Sequence, residues 1–179
     1  MSLDFKLVQS VITDVILEQS PGMDNPGLLH GKMGISIYLF HLYKKTGKTL
    51  YRDHAELLID TIWEKAEDNV LPLDFESGLA GIAWGIKYLV KNRFIEAETD
   101  DIIYELDDKV FKFLANRQEL PVDLHEGLLG YGFYLLSRLQ DKEFENMTNR
   151  DFMLKRLAID HINQIYDTME RKNDLLRNL

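Results

Sequence analysis

The stretch "LDFESGLAGIAWGIKYL", Leu73–Leu89, decides the reading of the whole chain. After Ser77 it is almost wholly apolar, as a buried helix is. Yet it carries Gly78, Gly81 and Gly85, and Asp74 and Glu76 stand just before it. Each glycine inside a helix costs roughly 1 kcal/mol against alanine. Such a cost, met three times, calls for close packing against neighbours or for open backbone N–H groups in the first turn.

The motif recurs. "HGKMGISIYLF" from His30 and "EGLLGYGFYLL" from Glu126 repeat the pattern G-x-x-G followed by apolar and aromatic residues. The leading glycines, Gly31, Gly78 and Gly127, are 47 and 49 residues apart. The second and third copies also align upstream, with Asp74-Phe75-Glu76 over Asp123-Leu124-His125.

Amphipathic patterns alternate with these segments. Phe5, Val8, Ile12 and Ile16 step by three and four, as do Tyr51, Ala55, Leu58, Ile59 and Ile62. So do Ile102, Leu106, Val110 and Phe113, and then Leu154, Leu157, His161, Ile162 and Ile165. Thr99-Asp100 reads as a helix start, with acids in its first turn. No clean alternation or Asn-Gly hairpin signals a strand.

The expected fold class is therefore all-α, one domain over residues 1–179, built from three αα-hairpin repeats with about seven helices. Inner helices are expected near 31–44, 78–91 and 127–140. Outer helices are expected near 3–19, 50–67, 99–117 and 150–175. A hairpin of nearly 50 residues cannot bury both its helices alone, so neighbours must stack, as an open solenoid or a closed ring.

Composition narrows the function classes. The chain has 179 residues, is 45% hydrophobic, and carries a net charge of −9. That charge disfavours nucleic acid and anionic membrane partners, which call for clustered Lys and Arg. The start "MSLDFKLVQS" lacks a signal-peptide pattern, and the apolar run from Ile82 is too short to span a bilayer, so a cytoplasmic protein is expected. There is no cysteine, which removes thiol nucleophiles and cysteine metal ligands from this chain. Ser77 has no G-x-S-x-G context, and "HGKMGI" is not a phosphate-binding loop. None of the five histidines forms an H-x-x-x-H pair.

"GLLHGKMGISIYLF", "LDFESGLAGIAWGIKYL" and "DLHEGLLGYGFYLL" resemble repeats of the lanthionine synthetase C-like (LanC-like) family over about residues 4–170. The resemblance implies an α/α toroid of two concentric helix layers, of which this chain looks like the front half. The familiar relatives are peptide cyclases. They add a cysteine thiol to a dehydrated Ser or Thr, with a zinc held by two cysteines and a histidine lowering the thiol pKa. Without cysteine, that zinc site cannot be built from this chain, and zinc is expected only if a further segment supplies ligands.

Asp74 and Asp123 match the aspartate of the family's D-x-x-E-G-x-x-G element, whose glutamate is matched by Glu126. The resemblance implies that they face a reaction centre. Acids before a helix also cap it and answer its dipole, so both readings stand. His30 resembles a histidine-glycine element in which the imidazole acts as acid or base. His125, Glu126, Glu76, Trp84 and Tyr131 are binding candidates, the aromatics as the lining of a peptide groove or simply as core. No metal ligand is assigned. The expected function is a peptide- or protein-binding module related to the cyclases, or the front half of a longer enzyme. A sugar-processing α/α toroid using Asp74 and Asp123 as paired carboxylates is the alternative. Half a ring leaves two raw apolar edges, so a homodimer, or docking of a missing second half, is expected.

Overall fold

The computed structural model describes residues 5–67, 71–96, 100–116, 120–140 and 142–177. Thr99, and the side chains of Ile102 and Leu106, lie outside the described residues. Seven α-helices and two short 3-10 turns make up the described chain, with no strand among the described residues. They are α1 (Phe5–Gln19), α2 (Lys32–Thr46), α3 (Thr49–Glu67), α4 (Leu79–Lys91), α5 (Asp100–Asn116), α6 (Leu128–Leu139) and α7 (Asn149–Arg177). No described helix is long and apolar enough to cross a membrane.

Local chemistry sets the helix ends. Gly47 closes α2 in the left-handed region at φ 72°, where only a residue without Cβ is comfortable, and its N–H bonds to the Tyr43 carbonyl. Thr148 and Asp151 form a capping box at the start of α7. The Thr148 N–H and hydroxyl both donate to Asp151 Oδ2, at 2.9 and 2.7 Å, and the Asp151 N–H points back to Thr148 Oγ1 at 3.3 Å.

The glycine-led helices stand side by side, α2 against α4 and α4 against α6. A second layer packs on them, with α3 on α2, α5 on α4 and α7 on α6. Between the layers lies a core that includes Met33, Phe40, Leu58, Ile86, Leu128 and Tyr134, each almost wholly enclosed. Burying one such apolar side chain contributes about 1.5–3 kcal/mol.

A buried polar network ties the third repeat together. Arg138 of α6 donates two hydrogen bonds to Asp107 of α5, both at 2.9 Å, and the Tyr134 hydroxyl donates to the same carboxylate. Arg150 of α7 approaches it at 3.7 Å. Burial first, and then the Asp107 charge, hold the Tyr134 phenol protonated well above its ordinary range.

Two apolar stripes differ from expectation. On α1, Phe5 and Ile12 are exposed, as are Leu7, Val11 and Val15, while Thr13 is the buried residue. The Thr13 hydroxyl bonds to the Gln9 carbonyl and to the Tyr38 hydroxyl of α2, each at 2.8 Å, and so sets the helix's rotation about its axis. On α7, Leu154 and His161 face inward but Ile162 is 64% exposed. Both helices carry apolar residues on more than one side, and a three-and-four spacing alone does not choose between sides.

Candidate functional site

The site is built by the three loops that lead into α2, α4 and α6. Each loop folds the same way. The carbonyl six residues before the first motif glycine accepts the N–H just after it: Asn25 from Lys32 at 2.9 Å, Pro72 from Leu79 at 2.9 Å, Pro121 from Leu128 at 2.8 Å. First-turn N–H groups that have no partner within a helix are thus satisfied by the chain's own preceding loop.

Asp74 and Asp123 are the braces of this turn. Asp74 Oδ1 accepts the N–H groups of Ser77 (2.7 Å) and Gly78 (3.2 Å). Asp123 Oδ1 accepts those of His125 (2.8 Å), Glu126 (3.0 Å) and Gly127 (3.2 Å). The first repeat has Gly27 at this place, and Asn25 Oδ1 takes over, accepting the Gly27 N–H at 2.8 Å.

The loops are also stitched to one another. The Glu76 carbonyl accepts N–H groups from Leu28 (2.8 Å) and Leu29 (3.0 Å). The His125 carbonyl accepts those of Phe75 (3.0 Å) and Glu76 (3.1 Å). This ladder brings together three side chains from three repeats. His30 Nε2 lies 3.3 Å from Glu76 Oε1, and His125 Nδ1 lies 3.0 Å from Glu76 Oε2. The two imidazoles stack with centroids 6.3 Å apart and ring planes at 26°. The Glu76 side chain is 25% exposed, against 67% for His30 and 52% for His125.

The cluster has a clear chemical repertoire. A carboxylate between two imidazoles can share a proton with either, orient both rings, or join them as metal ligands. Asp74 and Asp123 each commit Oδ1 to their own loop. Glu126 is exposed, and its N–H belongs to the Asp123 brace.

The aromatic candidates separate. Tyr131 is only 2% exposed and packs on Phe113 at 5.3 Å as part of the core. Trp84 is half-buried, stacked on Tyr88 at 5.4 Å and edge-on to Phe75 at 6.0 Å. With Lys87, Lys91, Ser137 and Gln140, these two rings line a shallow recess.

The comparison with known families decides the kinship. The family model described as lanthionine synthetase C-like protein matches residues 22–176. The chain belongs to this family. No curated protein matches it. The LanC-like match takes in all three motif loops and six of the seven helices. The thiolate-rich donor set of the cyclase zinc does not fit this LanC-like chain, which contains no cysteine.

Sequence reasoning had singled out His30, Glu76 and His125 separately and missed their convergence. The signal was faint: the residues stand one, two and two places before their motif glycines, so no single column of the repeat alignment holds them.

Proposed function

We propose that this LanC-like chain is a binding module, related to the peptide thioether cyclases, that seats an amphipathic helix of a peptide or protein partner. One observation carries the reading. An apolar groove of about 430 Å³ runs between α6 and α7, lined by Leu129, Phe133, Leu136, Ile159, Ile162 and neighbours. Phe133, Leu136, Ile159 and Ile162 are each 48–64% exposed. Apolar grooves of this kind receive helices through side chains spaced three and four apart.

The same chain offers a matching helix. Phe5, Leu7, Val11, Ile12 and Val15 give α1 an uncovered apolar face. A second copy can therefore lay α1 in the groove, which makes a homo-oligomer the simplest partner. Light scattering across a concentration series, on the native chain and on Leu136→Asp/Ile162→Asp, tests this. The native chain is expected to self-associate at micromolar concentration, and the variant to remain monomeric with an unchanged helical circular dichroism spectrum. A native chain that stays monomeric and takes up no amphipathic helical peptide would sink the reading.

A further inference from the structure

We propose that His30, Glu76 and His125 form a binding site for a divalent transition-metal ion of the zinc class, held across the loops of all three repeats. The three donors lie within 4.8 Å of one another, and this is the one such group among the described residues. Zinc bonds of about 2.0–2.2 Å to imidazole nitrogen and carboxylate oxygen place neighbouring ligand atoms roughly 3.4 Å apart in a tetrahedron. The carboxylate-to-imidazole separations of 3.0 and 3.3 Å are already of that size. Only small rotations of two exposed rings are needed to close on an ion.

The donor chemistry agrees. Two neutral imidazoles and one carboxylate suit zinc and its neighbours in the first transition row, whereas calcium and magnesium take oxygen ligands. The site is also held in advance. Glu76 N–H bonds to the His125 carbonyl, Leu29 N–H bonds to the Glu76 carbonyl, and His125 N–H bonds to the Asp123 brace. The backbone of Glu76 and His125, and that of Leu29 beside His30, is thus tied to a neighbouring loop or to a helix start, which lowers the ordering cost of binding. The two rings reach the carboxylate from different repeats, and each faces a different oxygen. Three protein donors leave at least one coordination position open to water or to a donor atom of a bound molecule.

This site is distinct from the groove between α6 and α7, and either can stand without the other. Isothermal titration of the untagged chain with zinc chloride tests it, with cobalt(II) absorption reporting coordination number. One equivalent is expected to bind saturably, and His30→Gln, Glu76→Gln and His125→Gln should each weaken it by at least about tenfold. His41→Gln, remote from the cluster, should leave it unchanged. His30 is exposed enough that its replacement keeps the fold, so at least one variant remains informative. Absence of saturable uptake, or uptake that persists in His30→Gln/His125→Gln, overturns the site and leaves an imidazole–carboxylate pairing only.

Discussion

Gly130 of α6 lies so close to Phe75, in the loop of the preceding repeat, that a Cβ on the glycine would sit 2.6 Å from the Phe75 Cβ. It would also strike the Leu124 carbonyl of its own loop. Two residues on, Gly132 has only His161 nearby, at 3.7 Å.

The two glycines of one helix should therefore respond with opposite sign. Gly130→Ala overpacks against backbone and is expected to destabilise by about 1–3 kcal/mol. Gly132→Ala gains helix propensity without a clash and should stabilise by about 0.4–1 kcal/mol. Urea unfolding of both variants decides it. Equal effects would remove close packing as the reason for the motif.

Asp123 should matter for stability whatever else it does. Asp123→Ala strips the acceptor from three N–H groups at the start of α6, and a loss of about 0.5–2 kcal/mol is expected. Asp123→Asn keeps an oxygen in place and should lose less. Thermal unfolding of the pair separates the hydrogen-bonding role from the charge.

The Asp107–Arg138 pair is the most severe single point to break. Arg138→Leu leaves a carboxylate that is 1% exposed with Tyr134 and the more distant Arg150, and about 3–5 kcal/mol should be lost. Asp107→Leu/Arg138→Met, which removes both charges, should recover a large part of that loss. A double variant no more stable than the single one would contradict it.

His161 predicts a pH dependence. Its Nε2 bonds to the Leu128 carbonyl, but burial outweighs that bond and holds the imidazole below its ordinary value of 6.5. Burial acts on His54 in the same direction. The unfolded chain therefore binds protons first, so stability is level above about pH 6.5 and falls as pH drops below it. Asp151 acts in a separate, more acidic window. Burial alone would raise its carboxyl, but the Thr148 bonds and Lys142 hold it below 3.8, so its contribution is full well above pH 3.8 and is lost as pH falls from there to the lower folded value. Stability curves of His161→Gln should show a shallower slope below pH 6.5 and an unchanged acid limb.

Most of the secondary structure was legible because its causes are local. Apolar residues stepping by three and four, as Tyr51, Ala55, Leu58 and Ile62 do, mark a helix wherever the chain is placed, whereas the Thr148–Asp151 cap of α7 is seen only in the structure. The leading glycines mark where each loop folds back on its own helix. Less legible was the rotation of α1. Its apolar residues lie on several sides, and a hydroxyl-to-hydroxyl bond with Tyr38 chooses the side that is buried. Tyr131 was ambiguous for the same reason: an aromatic at helical spacing reads alike whether it faces a groove or a core.

By itself the sequence determined an all-α chain of repeated hairpins, its family, and the loops that lead into the glycine-led helices, because periodicity and glycine spacing act over a few residues. Only the tertiary structure decided that His30, Glu76 and His125 meet, and that α1 and the α6–α7 groove are left uncovered. Those outcomes depend on how one repeat is shifted against the next, which carbonyls such as those of Glu76 and His125 settle across about 50 residues of chain.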